Sequence, residues 1–169
     1  MKNNLLKIIV SALFSAIVFV ATFVVQIPAP FGYVNLGDCF VLLCGVVLGP
    51  VWGFAAAGVG SALADLLFGF TLYAPATFLI KGIMALIIGL AVKGEKKTFT
   101  KTAIFGAVCE ILMAILYFVF ECFVLGYGIA AAAAIPMNLF QGAIGLILFI
   151  FLHGVILKNK PLKNFLNIK

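Results

Sequence analysis

The chain has 169 residues, of which 66% are apolar and only 9% charged, and its mean hydropathy is +1.32. Soluble domains are about 45–50% apolar and about 25% charged, so the composition excludes a soluble enzyme, a nucleic-acid reader and a secreted disulfide scaffold. The net charge of +6 rests on lysine alone, without the arginine forks that a phosphate or nucleic-acid reader uses.

At roughly 20 residues per span, this length predicts one membrane domain over residues 1–169 with no soluble partner domain. The expected fold is all-α, a six-transmembrane-helix bundle with spans at about 5–26, 36–48, 51–68, 75–92, 102–124 and 131–157. The first span follows a few lysines and imitates a signal peptide. It lacks a small-residue cleavage site before the polar loop and is read as a retained helix. Residues 26–35 (QIPAPFGYVN) hold two prolines and a glycine and are expected to form a loop. The second span is short, about 20 Å at 1.5 Å per residue against a core of about 30 Å, so it is half-buried or continued by its loops. Gly49-Pro50 turns the chain into the third span. Residues 69–75 (GFTLYAP) and 126–128 mark further loops, and the run Ala130–Ala134 is expected to open the last helix.

Lysine placement orients these spans. Lys2 and Lys7 precede the first, Lys93, Lys96, Lys97 and Lys101 lie between the fourth and fifth, and Lys158, Lys160, Lys163 and Lys169 follow the sixth. The loops at 27–35, 69–74 and 125–130 contain none. Ten of eleven cations therefore share one side, which the positive-inside rule assigns to the cytoplasm together with both termini.

The charges outside those loops carry the functional reading, because an ionised group near the bilayer centre costs about 2.5–3.5 kcal/mol on insertion scales. Asp38, Asp65, Lys81 and Glu121 come from four spans yet share the extracytoplasmic third of the membrane, with Asn138 and Gln141 at a similar level. Such convergence predicts a polar cavity. Asp38 is either a helix cap or a ligand contact. Lys81 either pairs with Asp65, snorkels to the interface or touches the ligand. Glu110, Tyr117 and Glu121 fall within about 40° of one helix face, Glu110 lying deeper. Asn138 and Gln141 serve either the ligand or helix–helix hydrogen bonds. His153 is expected at the cytoplasmic interface. Cys39, Cys44, Cys109 and Cys122 lack metal or redox spacing and are read as packing residues, with no metal site.

Three stretches then carry a resemblance: Gly-Tyr-Val-Asn-Leu-Gly-Asp ending at Asp38, Gly-Ser-Ala-Leu-Ala-Asp-Leu around Asp65, and Tyr-Ala-Pro-Ala-Thr-Phe-Leu-Ile-Lys-Gly around Lys81. Together with six spans and Ala12-x-x-x-Ala16 on the first helix, they resemble the substrate-binding S components of energy-coupling factor (ECF) transporters, in the group for riboflavin, hydroxymethylpyrimidine or pyridoxine. The resemblance implies a non-enzymatic vitamin-binding subunit of the prokaryotic plasma membrane that loads from outside. It implies a pocket formed by the last three helices and outer loops. It also implies a partner T subunit and two ATPases that hydrolyse ATP, since this chain has no Gly-x-x-x-x-Gly-Lys-[Ser/Thr] loop and binds no cofactor. Phe31, Tyr33, Tyr73, Phe78, Tyr117 and Tyr127 are the expected aromatic wall, and Asn35, Asp38, Lys81, Glu121, Asn138 and Gln141 the expected polar contacts. Ala12 and Ala16 are the expected partner interface. The alternatives are a stand-alone secondary transporter or small channel, which would show inverted repeats, and an intramembrane hydrolase, for which no nucleophile and base share a depth.

The lysine argument makes a direct prediction. Single cysteines at Phe31 and Tyr73 should react with an impermeant thiol reagent in intact cells, and one at Thr98 only after permeabilisation. Labelling of Thr98 from outside overturns the orientation.

Overall fold

The computed structural model describes residues 4–29, 31–92, 99–159 and 161. Six α-helices follow in order: α1 (Asn4–Val24), α2 (Asp38–Leu48), α3 (Pro50–Leu67), α4 (Ala74–Ala91), α5 (Phe99–Val119) and α6 (Ile135–Lys158). Five helical stretches are long and apolar enough to cross a membrane, and the 11-residue α2 is the short one. Of the orienting lysines, Lys2, Lys93, Lys96, Lys97, Lys160, Lys163 and Lys169 lie outside the described residues, as does Thr98.

The helix bounds follow the predicted spans, but the all-α expectation is corrected in the first loop. Gln26–Ala29 (β1) and Gly32–Asn35 (β2) pair as an antiparallel hairpin, with Gln26 opposite Asn35 and Ala29 opposite Gly32. Pro28 opposes a helix here but not an edge strand, where a missing N–H leaves no ladder position empty. A second correction concerns Ala130–Ala134. The chain from Gly128 to Ala134 winds as a 3₁₀ turn, and α6 starts at Ile135 with Pro136 in its first turn, where the absent N–H costs no helix bond. The end of α5 also departs from regularity. Phe120–Val124 form a π turn, in which the Leu125 N–H reaches the Phe120 carbonyl at 3.1 Å.

The short second helix is the centre of the bundle. Asp38, Cys39 and every residue from Val41 to Val47 are buried, and α1, α3, α4 and α6 all pack against α2. A helix apolar on every side belongs in a core, which is why this segment need not span the bilayer by itself. Lipid tails are as apolar as leucine, so close packing rather than transfer from water holds such a bundle together. Glycines provide that closeness. A Cβ on Gly45 of α2 would overlap the backbone carbonyl of Ala85 on α4. Between α3 and α4, Phe78 fills the notch at Gly58 and Phe54 the notch at Gly82, and the two rings meet edge to face at 5.5 Å.

Contacts also fix which ends lie together. Phe99 at the start of α5 stacks on His153 near the end of α6, and Val47 at the end of α2 packs on Phe14, Ile156 and Leu157. The hairpin, the α3–α4 loop, the π turn and the 3₁₀ turn gather at the other end. His153 is buried, sandwiched between Phe99 and Phe149 with ring planes within 8° of parallel. The ring therefore points into the bundle, at the end of α6 where the sequence reading places it.

The Gly45 contact sets an expectation. Gly45→Ala should destabilise the protein by about 1–3 kcal/mol, the usual cost of overpacking, because a backbone carbonyl cannot rotate out of the way. A thermal unfolding midpoint in detergent equal to wild type would show that α2 and α4 can move apart.

Candidate functional site

The site begins at the first turn of α2. Gly37 precedes that helix without any side-chain cap, and Asp38 turns its carboxylate inward instead. Asp38 is fully buried. Its Oδ1 accepts from Lys81 Nζ on α4, forming an ion pair, and its Oδ2 accepts from Gln141 Nε2 on α6 at 2.6 Å. Gln141 Oε1 in turn accepts the Asn35 N–H of β2 at 2.9 Å, and Asn35 Oδ1 accepts the Gly37 N–H at 2.8 Å. Lys81 Nζ also lies 2.8 Å from Met113 Sδ and 5.6 Å from the centre of the Tyr117 ring. One continuous network thus ties α2, α4, α5 and α6 to the hairpin.

Two of the readings left open by the sequence are settled here as corrections. Asp38 does not cap its helix, and Lys81 does not pair with Asp65. Asp65 Oδ1 instead accepts from Tyr33 Oη at 2.6 Å, across to the hairpin. The reason is geometric: the start of α2 and the middle of α4 meet in the bundle centre, whereas Asp65 lies one layer nearer the hairpin. Burial, and then the Asp65 carboxylate, push the Tyr33 phenol well above its ordinary range, so it stays a donor at physiological pH.

Between this network and the hairpin lies a partly open cavity of about 50 Å³ lined by polar and aromatic side chains. Of the sequence-predicted residues, Phe31, Tyr33, Asn35, Tyr73, Lys81, Tyr117, Glu121, Asn138 and Gln141 line it. Asp38 stands directly behind Lys81 and Gln141. Tyr127 lines an outer recess with Phe31, Phe70 and Tyr73, its ring stacked on Phe31 at 4.8 Å. Phe78 is corrected, being held between α3 and α4 rather than on the cavity wall. Glu110 lies deeper, packed on Gly142 and Gly145 of α6 beside Asp38, with neither carboxylate oxygen hydrogen-bonded.

The irregular elements explain how the wall is built. The π turn inserts a residue at the end of α5 and turns Glu121 into the cavity. Its Oε1 faces Tyr73 Oη at 3.4 Å, while its Oε2 is buried without a partner. Burial, and next Glu121, raise the Tyr73 phenol above its ordinary range. Thr77 Oγ1 and Tyr117 Oη are 2.9 Å apart on the opposite wall. Sequence reasoning missed Thr22, Ser61, Phe70 and Thr77, which also line the cavity. A usable signal existed for two of them. Ser61 precedes Asp65, and Thr77 precedes Lys81, by four residues, one helical turn on the same face. Ser61 Oγ is buried and unpartnered.

A bundle of helices long and apolar enough to cross a membrane, with polar side chains gathered around an internal cavity, has the architecture of a polytopic membrane protein. The chain belongs to the S-component family of ECF-type transporters: residues 2–158 match the family described as "ECF-type riboflavin transporter, S component". A solved structure described as that of "the S component of a bacterial ECF transporter" shares the fold with a TM-score of 0.77 and 28% identity. The match covers 92% of this chain and 98% of that one. A Pyrococcus woesei protein described as an "Uncharacterized protein in gap 3'region" is 40% identical over 119 residues, 69% of this chain and 78% of that protein. The resemblance seen in the three sequence stretches therefore holds over nearly the whole chain, and the family is one of transport subunits, not enzymes.

The network yields a prediction. Lys81→Met leaves Asp38 charged and unpaired in a low-dielectric interior and should cost about 3–5 kcal/mol, with much of the loss recovered when Asp38→Asn is added. The same cycle between Lys81 and Asp65 should be close to additive. Unfolding in detergent measures both, and coupling to Asp65 larger than to Asp38 would contradict the pairing.

Proposed function

We propose that this chain is the high-affinity binding subunit of an ECF-type importer that captures a B-group vitamin or precursor, of the riboflavin, pyridoxine or hydroxymethylpyrimidine class, from the extracytoplasmic side. The observation that carries the reading is the cavity, with an aromatic rim and two buried polar atoms, Ser61 Oγ and Glu121 Oε2, that have no partner among the described residues. Buried polar groups are normally satisfied, and a ligand with several hydrogen-bonding groups on an aromatic ring supplies what these two lack. Tyr33, Tyr73 and Tyr117 would contact the ring. Asn35, Asn138 and Gln141 would bond its edge, and the Asp38–Lys81 pair would form the floor. A cavity of about 50 Å³ holds a water or two, so the hairpin and the outer aromatic recess part to admit a vitamin.

The lysine distribution supports cytoplasmic termini in a prokaryotic plasma membrane, and it puts the hairpin outside. Transport then needs a motor, for which the chain has no phosphate loop. A T subunit and two ATPases would supply it. Ala12 and Ala16 support this reading: both are exposed, and they line an apolar groove with Ile8, Trp52, Val59 and Leu63 rather than packing in the core. Small residues one turn apart admit another helix at close range.

The test has two readouts. The purified chain should bind a vitamin with nanomolar to low micromolar affinity, about −8 to −12 kcal/mol, and should co-purify with a T subunit and ATPases. Replacing Ala12 and Ala16 by Trp should abolish that association and cellular uptake while leaving vitamin binding intact. Transport in liposomes by the chain alone would instead support a solitary carrier.

A further inference from the structure

Glu110 of α5 is 4% exposed, and neither of its carboxyl oxygens has a hydrogen-bond partner among the described residues. Two glycines of α6 make room for it. A Cβ on Gly142 would stand 3.1 Å from Glu110 Oε2. A Cβ on Gly145 would stand 2.8 Å from Asp38 Cβ and 3.4 Å from Glu110 Oε1, so the two acids share one notch. Lys81 reaches the same place. Its ammonium lies 2.8 Å from Met113 Sδ, and Met113 is one turn beyond Glu110 on α5. The titratable groups facing Glu110 are Asp38 and Cys39 from α2 and Lys81 from α4, with Cys109 beside it on α5. The two thiols bring no positive charge.

Charges in this notch do not balance if both acids are ionised. One lysine offsets one carboxylate, and a second carboxylate without hydrogen bonds is strongly disfavoured in a low-dielectric interior. Hydrogen bonding shows which acid is charged. Both oxygens of Asp38 accept, from Lys81 and from Gln141, as an ionised carboxylate does, whereas Glu110 accepts nothing among the described residues. We propose that Glu110 is an un-ionised positioning residue and the reserve counter-ion of Lys81, holding the proton of the two acids and taking over the negative charge when Asp38 does not carry it. In the native chain the exchange moves one proton from Glu110 to Asp38 and leaves the net charge of the notch unchanged. In a chain without the Asp38 carboxylate, the proton goes to solvent. Lys81 and Gln141 line the cavity, so its floor keeps a cation with either acid charged, whatever solute the cavity takes.

The full chain in detergent at neutral pH is studied by infrared spectroscopy and thermal unfolding. Difference spectra against wild type should show that Glu110→Gln removes a protonated-carboxyl band. Asp38→Asn, which leaves Glu110 in place, should remove the same band as Glu110 ionises; a glutamic acid that merely fills space would keep it. Combining Asp38→Asn with Glu110→Gln leaves Lys81 without a counter-ion. The unfolding midpoint should then fall by about 5 °C or more beyond the sum of the two single losses, and adding Lys81→Met should recover most of that excess. No band lost in Glu110→Gln, or a midpoint raised by it, shows an ionised Glu110 and overturns the proposal. A band that persists in Asp38→Asn, or additive losses in the double variant, overturns the reserve role. If the double variant does not fold, the spectra of the two single variants decide the outcome.

Discussion

Asp38 and Lys81 meet in the middle of a membrane protein, where neither charge is tolerable alone. Each is removed from water, and the cost of that removal is offset only if the pair is complete and its remaining hydrogen-bonding positions are filled. Gln141 fills the second oxygen of Asp38, Met113 faces the lysine, and Asn35 then joins Gln141 to the hairpin. Four helices and a β-hairpin are therefore fixed relative to one another by a single ion pair and its satellites. The pair also explains why α2 is short. Its first turn has to begin inside the bundle, level with the middle of α4, for the carboxylate to reach the ammonium.

From that centre the molecule divides into two ends of different character. Toward the lysine-bearing end, regular helices pack through glycine notches and aromatic rings, and even His153 is closed between two phenylalanines. Toward the hairpin, regularity is lost: a two-stranded ribbon, a π turn and a 3₁₀ turn replace helix ends. Irregular backbone is affordable at such depth only where it lines a cavity or is enclosed by protein. Here it does both. The hairpin is tied by Tyr33 to Asp65, by Asn35 to Gln141 and by Phe31 to Tyr127. These contacts hold the hairpin over the cavity.

The groove beside Ala12 and Ala16 is a separate surface. It lies on the outer flank of α1 and α3, and the cavity lies between α3, α4, α5, α6, the end of α1 and the hairpin. Gly60 of α3 lies against the α1 backbone at Ser15, so the two helices meet through other residues and leave the alanines uncovered.

Much of this was legible in the residues themselves. Twenty-residue apolar runs have no stable alternative to a helix in lipid, because every backbone group must be satisfied within the segment; the five long helical stretches followed from that alone. A charge in such a run is too costly to be accidental, so Asp38, Asp65, Lys81 and Glu121 identified themselves, and the Gly-Asp, Ala-Asp and Ile-Lys-Gly stretches around them carried the family. What depth could not decide was partnership. Asp65 and Asp38 both lie within reach of Lys81 on a one-dimensional depth scale, and only the crossing of α2 against α4 selects Asp38. The hairpin was read as a loop because prolines exclude helix but are silent about a strand pairing that depends on its partner strand. The π turn that aims Glu121, and the notch that takes Phe78 out of the cavity, likewise arise from neighbours. Periodicity along a chain fixes which elements form and how deep each residue sits; which side chains meet is set by the angles between helices, and those exist only once the bundle has packed.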